Sequence, residues 1–297
     1  MEISVIIPSF NGLAKLPGLL SCLMKQSVRN FEVWVIVDGS TDETEEYLSS
    51  LEFENTFNLN YKVQPNRGRS ATRNQGARLA KGKLLLFLDD DMEPDAHCLG
   101  AHLAHHQKFT GSVLVGNQME DSSILKTDVQ RYKAFLSRKW LNQLHTDASG
   151  RLVQPFITAA HFSISKELFQ RIGGFDESLT DAEDRELAAR CVQDNIPIHF
   201  DKKINAWHND LITARSYSKR LHEYEKANSQ LQLLHPEFFT SKEKRFSSLQ
   251  KIVYAFFGQS IWIWMIDHFN VFMVLPLKLR YLVYDWVFTG SSYLKSR

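Results

Sequence analysis

Three consecutive aspartates, Asp89, Asp90 and Asp91, follow directly on five apolar residues, Leu84–Leu88. Adjacent carboxylates repel one another and are costly to desolvate, and a hard divalent cation with oxygen ligands relieves both costs. A solvated acidic turn is the plainer alternative. A second acidic stretch holds Asp181, Glu183 and Asp184 at the start of a helical pattern. There the helix dipole favours acids whatever their role, so helix-start chemistry competes with catalysis. Asp38 closes another apolar run, in Val37-Asp38-Gly39-Ser40-Thr41-Asp42, and Pro8, Ser9 and Asn11 follow the run Ile3–Ile7.

The elements that must position these groups can be read from hydrophobic spacing. Leu84–Leu88 has no polar alternation, which suits a strand buried on both faces of a parallel sheet. Its carboxylates then emerge at the strand's carboxyl end, where open α/β sheets bind ligands. Ile3–Ile7, Phe31–Val37 and Asn60–Gln64 read as three further strands. Leu13–Gln26, the stretch from about Ser40 to about Leu51, Gly68–Ala80 and the stretch from about Asp95 to Lys108 read as the helices between and after them. Ser40 and Glu43 have capping-box spacing, which starts the second helix. Strand and helix alternate, the signature of right-handed crossovers and a parallel sheet. One rim therefore gathers Ser9, Asn11, Asp38 and Asp89–Asp91, the convergence a nucleotide site needs. No phosphate-binding glycine loop is present, so metal and arginine would hold phosphates. Further on, Ser112–Val115 and Phe156–Ser165 read as strands, and Asp128–Leu144, Lys166–Ile172 and Asp181–Asp194 as helices. Ile198–Phe200 and Ala206–His208 read as short strands, and Arg215–Leu234 as a charged helix.

The remainder changes character. Ile252–Ile266 and Val271–Pro276 are apolar and aromatic, yet neither reaches the ~20 residues that span a bilayer. Trp262, Trp264, Tyr281, Tyr284 and Trp286, with Lys251, Lys278, Arg280 and Lys295, suit helices lying in a headgroup region. A helical hairpin packed on protein is the alternative. Bulk numbers narrow the class. The 297 residues carry a net charge of +1, which argues against a nucleic-acid binder working by general basicity. Cys22, Cys98 and Cys191 match no metal spacing and suggest a reducing compartment. The opening residues read as a first strand, not a signal peptide. The expected location is cytoplasmic, peripheral at the inner face of the membrane.

Five pieces in order resemble family 2 glycosyltransferases, which adopt the GT-A fold: SVIIPSFNG at Ser4–Gly12, VDGSTDET at Val37–Thr44, GRSATRNQGARLAKG at Gly68–Gly82, LFLDDDMEP at Leu86–Pro94, and GGFDESLTDAEDRELAAR at Gly173–Arg190. The likeness covers about residues 1–208. It implies an α/β GT-A domain, Rossmann-like with a mostly parallel sheet flanked by helices, over residues 1–212. A C-terminal helical extension follows over residues 213–297. It also implies an inverting enzyme that moves a sugar from a nucleotide-sugar, expected to be a UDP-sugar, to a hydroxyl of a glycan or lipid-linked acceptor. By resemblance Pro8, Ser9 and Asn11 lie beside base and ribose, and Asp38 accepts from the base imide N–H. Arg69, Arg73, Asp89 and Asp90 belong to the nucleotide site. Asp91, with Asp89 and His208, would hold Mn²⁺ or Mg²⁺, and Asp184 is the general base.

The sequence departs from the family at Met92, where a third acid is frequent, and in lacking the aromatic acceptor motif of processive relatives. His161, in Thr158–Ser163, either faces the acceptor or sits in the core. Two other chemistries compete: a phosphohydrolase built on Asp89 and Asp91, disfavoured by Glu93 and by the position of the acids after four β-α units, and a sugar nucleotidyltransferase, disfavoured by the missing glycine-rich loop and lysine. A non-enzymatic sugar-nucleotide sensor is a third reading, disfavoured by Asp38, Asp91 and Asp184 occurring together.

Overall fold

The computed structural model describes residues 2–51, 57–239 and 246–295, with the side chain of Lys295 outside that set. The described residues form eight strands: β1 (Ile3–Ser9), β2 (Phe31–Asp38), β3 (Asn58–Gln64), β4 (Leu84–Leu88), β5 (Met92–Pro94), β6 (Val113–Met119), β7 (His161–Ser165) and β8 (Ile198–His208). The helices are α1 (Leu16–Met24), α2 (Thr44–Ser49), α3 (Arg69–Leu79), α4 (Cys98–Lys108), α5 (Asp128–Leu141), α6 (Lys166–Arg171), α7 (Glu183–Gln193), α8 (Ala214–Leu234), α9 (Ser248–Phe257), α10 (Ser260–Phe269) and α11 (Leu277–Lys295). A 3-10 turn spans Val271–Val274. The chain divides into two compact units, Met1–Met119 with Asn142–Asn209, and Glu120–Leu141 with Asp210–Arg297.

In the first unit the strands lie in one sheet of order β3-β2-β1-β4-β7-β6-β8-β5. β1 to β4 are mutually parallel, as the alternation of strand and helix predicts. β7 then inserts antiparallel between β4 and β6. Leu84–Leu88 is buried throughout. Leu84, Leu86 and Leu88 join Ile3, Val5 and Ile7 on one face, while Leu85 and Phe87 join Ile6 and Phe162 on the other. The two-residue period of a strand thus turns an unbroken apolar run into two cores, which fixes the register that aims Asp89–Asp91.

Several local expectations are corrected. Ser40 does not cap α2: its hydroxyl accepts from Asn11 N (2.9 Å), and Asp42 takes Thr44 N (3.3 Å) and the Thr44 hydroxyl (2.5 Å) instead. Strand β5, three residues pairing antiparallel with β8, is an element no periodicity announced. Ile198–His208 is one strand with an irregularity opposite Gly116 and Asn117, not two.

The second unit packs α5, α8, α9, α10 and α11 around Tyr132, Ile266, Phe272, Tyr284, Val287 and Phe288. Asp128, buried, accepts from Tyr284 Oη at 2.8 Å and meets Arg280 at 3.1 Å. Asp267 accepts from Ala214 N (2.6 Å) and Arg215 N (3.0 Å), satisfying two donors at the start of α8. Among the described residues, no helix is long and apolar enough to cross a membrane.

Candidate active site

The carboxyl ends of β1, β2 and β4 deliver the polar groups to one rim. Asp38, at the end of β2, is buried. Its Oδ1 accepts from Gln64 Nε2 (2.8 Å) and Arg67 N (2.9 Å), and its Oδ2 from Gly68 N (3.0 Å). A carboxylate has about four lone-pair sites, so one acceptor position on Oδ2 stays in reserve. Gly39 (φ +72°) makes the turn that follows; a Cβ there would come within 2.8 Å of Asn66 N. Asn11, also left-handed (φ 50°), accepts from Thr41 N (2.8 Å) and so ties the loop after β1 to the loop after β2. Pro8 is half-buried within the β1–β2 ladder beside Ile36.

The three aspartates after β4 part ways. Asp89 faces Arg73 Nη2 at 2.6 Å, and Arg73 Nη1 meets Glu183 at 2.6 Å. Arg73 is almost fully buried, and its two acidic neighbours hold the guanidinium firmly protonated against burial. Asp90 turns under the rim, accepting from Ser9 Oγ at 2.8 Å with Lys15 Nζ at 3.3 Å; burial pushes it up to about 6. Asp91 looks the other way. Its Oδ1 lies 3.3 Å from His208 Nε2 and its Oδ2 3.6 Å from Lys15 Nζ. The His208 ring and then the Lys15 ammonium hold Asp91 below the usual carboxylate range despite burial. The pairing of Met92 with His208 in the β5–β8 ladder brings this histidine to this acid.

Asp184 stands in the first turn of α7, entered through Ala182 in a left-handed conformation (φ 62°). Its Oδ2 accepts from Ala159 N at 3.3 Å, and the next residue's carbonyl, Ala160 O, accepts from Asp89 N at 3.3 Å. The acids of β4 and α7 therefore share one backbone support. Burial, then the charge of Glu183, push Asp184 up to about 7, against the pull of Ala159 N–H and Arg73. Arg69 lies on the exposed side of α3, 3.7 Å from Asp181.

The fit of a cation can be judged at Asp91. Its Oδ1 is buried without a hydrogen bond, and a carboxylate oxygen and an imidazole nitrogen 3.3 Å apart match adjacent ligands at ~2.1 Å from one ion. Asp91 and His208 are thus brought together, whereas Asp89 is engaged by Arg73. Sequence reasoning did not single out Lys15 or the cradle of Gln64 and the Arg67 and Gly68 amides. Lys15 lies before the first apolar residue of α1 and carries no pattern of its own, and amides leave no trace in side-chain identity. His161 is fully buried, its Nδ1 donating to Asn117 O and its Nε2 facing His102 Nε2 and Cys98 Sγ.

A mixed, mostly parallel sheet with an acidic rim at its carboxyl edge is the arrangement of the GT-A fold, and solved structures agree on the fold. A mannosyltransferase of Pyrobaculum calidifontis in complex with GDP-Man and Mn²⁺ superposes with a TM-score of 0.66 at 14% identity, covering 100% of this chain and 88% of that one. S. aureus TarS 1–349 in complex with UDP-GlcNAc gives 0.54 at 18%, covering 100% and 93%. The model of "Glycosyl transferase family 2" matches residues 4–173, and the chain belongs to that family. An uncharacterized glycosyltransferase of Haemophilus influenzae is 29% identical over 214 residues, 68% of this chain and 65% of that protein. The chain spans less than two thirds of the length of the first curated relatives it matches.

Proposed function

We propose that the chain transfers a sugar, with inversion, from a UDP-sugar to a hydroxyl of a glycan or lipid-linked acceptor, with Asp184 as general base. The observation that carries this reading is the joint support of Asp184 and Asp89 by consecutive residues Ala159 and Ala160. It supports a proton acceptor of raised pKa beside the rim proposed to bind the nucleotide. Asp184 takes the acceptor proton as the acceptor oxygen attacks the anomeric carbon, the carbon–oxygen bond to the diphosphate breaks, and the electron pair leaves with the diphosphate. Asp38 offers its remaining lone pair to a base imide N–H, and Ser9 and Asn11 frame the base and ribose. Arg73 and Arg69 stand over the phosphates, Arg73 holding Asp89 in place. Asp91 and His208, with Asp89 through the oxygen that Arg73 does not hold, would hold Mn²⁺ or Mg²⁺. That ion supplies Lewis-acid neutralisation of the departing diphosphate. The phosphohydrolase alternative asks Asp89 to be a nucleophile, and its ion pair with the buried Arg73 argues against that role.

The same reading lays the C-terminal helices on an anionic bilayer surface. Leu249, Ile252, Phe256, Trp264, Phe269 and Val274 are exposed on successive helical segments, and exposed apolar residues gathered in one region mark an interaction surface. From Ser248 to Leu282 the one acid is Asp267, already spent on the α8 amides, while Lys251 and Lys278 are exposed. Apolar residues flanked by lysines match acyl chains beneath anionic headgroups.

Calorimetry of UDP binding with and without Mn²⁺ tests the donor site. The wild type should bind at least tenfold more tightly with Mn²⁺, and Asp91→Ala should lose that gain. Equal affinities in all four titrations would refute the cation site.

A further inference from the structure

A second group of metal-ligating atoms lies inside the sheet unit, apart from the rim acids. Cys98 and His102 lie on α4 and His161 on β7, all fully buried, and their Sγ and ring nitrogens sit within 4.8 Å of one another. Cys98 Sγ is 3.4 Å from His161 Nε2, and His102 Nε2 is 3.1 Å from the same nitrogen. In a tetrahedral zinc site, with bonds of about 2.0 Å to nitrogen and about 2.3 Å to sulfur, neighbouring ligand atoms are roughly 3.3–3.6 Å apart.

The hydrogen bonds on the far side of each ring orient these atoms. His161 Nδ1 faces the carbonyl of Asn117 at 3.2 Å; a carbonyl only accepts, so this nitrogen bears the proton and Nε2 presents a lone pair. His102 Nδ1 meets Ser163 Oγ at 2.7 Å, and His106 Nε2 meets the same hydroxyl at 2.8 Å. Ser163 has one proton for two imidazoles. When it gives that proton to His106, His102 donates from Nδ1, and two Nε2 lone pairs converge beside a thiol sulfur. A backbone carbonyl and a hydroxyl fixing imidazole tautomers are the outer partners typical of metal-bound histidines. Gly116 leaves room for the His161 ring, since a Cβ there would fall 2.2 Å from its Cε1.

We propose that Cys98, His102 and His161 bind one zinc ion, distinct from the cation at Asp91 and His208. Soft sulfur with two imidazoles selects zinc over the Mg²⁺ or Mn²⁺ preferred by carboxylates. On binding, the thiol proton passes to solvent and the thiolate forms the metal–sulfur bond. His161 pairs with Leu88 across β4 and β7, one residue before Asp89 and two after Ala159. Zinc there ties α4 to the strand that directly follows Ala159 and Ala160, the residues that meet Asp184 and Asp89, a structural role.

The test uses the full chain, stripped with EDTA, supplied with one equivalent of Zn²⁺, gel-filtered and assayed by plasma mass spectrometry. Wild type and Asp91→Asn should each retain about one zinc, Cys98→Ala should retain under a tenth, and stripping should lower the wild-type melting temperature by several degrees. Co²⁺ in place of Zn²⁺ should give a thiolate charge-transfer band in the near ultraviolet, a readout that stands even if Cys98→Ala fails to fold. Retention of equal zinc by Cys98→Ala, loss of it in Asp91→Asn, or absence of the cobalt band would overturn the assignment. None of these results depends on glycosyl transfer.

Discussion

As the proposed general base, Asp184 has to be ionised to accept a proton, and burial beside Glu183 pushes it up to about 7. The turnover rate should therefore rise about tenfold per pH unit below that value and level off above it, measured as initial rates at saturating donor. Stability runs the other way. The folded chain keeps a proton that the unfolded chain releases at 3.8, so the contribution of this group is lost as pH rises from 3.8 to about 7. Arg73 makes a second prediction. Among the described residues it is the ionic partner of the buried Glu183, and it also grips Asp89. Arg73→Ala leaves Glu183 uncompensated and should cost about 3–5 kcal/mol in a urea melt; a loss under 1 kcal/mol would contradict the buried Arg73–Glu183 pair. The types and spacing of these residues were legible in the chain. Which of three adjacent aspartates faces which partner was not, because it depends on the twist of the turn after β4 and on β8 arriving from more than a hundred residues later.

At the scale of elements, β4 is set against β1 through Gly82. Its N–H donates to Ser4 Oγ at 2.8 Å, and a Cβ at this position would fall 2.7 Å from Ile3 C and from Ser4 N. Backbone cannot give way as a side chain can, so Gly82→Ala should destabilise by about 1–3 kcal/mol in thermal or urea unfolding. An unchanged midpoint would show that β4 tolerates a shift. β1, β2 and β4 were readable because each is an apolar run closed by a turn, and alternation with helices dictates parallel pairing. The direction of β7 was not, since period two is identical in parallel and antiparallel strands. β5 has only three residues and contains Pro94, too short for any periodicity. Ser40 and Glu43 had capping-box spacing, yet a long-range bond to Asn11 N claimed the serine.

The whole molecule holds two cores of different kinds, one split across a sheet and one of aromatic helices. Apolar and aromatic residues of the second kind were visible in the sequence. Their division was not: Tyr284 and Phe288 lie inside, whereas Ile252, Phe256 and Val274 lie outside. In cosedimentation, the protein should pellet with vesicles of phosphatidylglycerol and phosphatidylcholine and less so with phosphatidylcholine alone. A variant with Ile252, Phe256 and Val274 changed to Ser should stay in the supernatant, its fold checked by circular dichroism. Equal pelleting of both proteins would remove the bilayer from the account.

The measurement that bears most directly on the proposed reaction pairs donor binding with turnover in Asp184→Asn. Asparagine keeps the shape and the contact to Ala159 N but has no basic oxygen. Nucleotide affinity should stay within about twofold of wild type while turnover falls by at least a factor of about 10². Turnover within a few-fold of wild type, at unchanged affinity, would show that another group takes the proton.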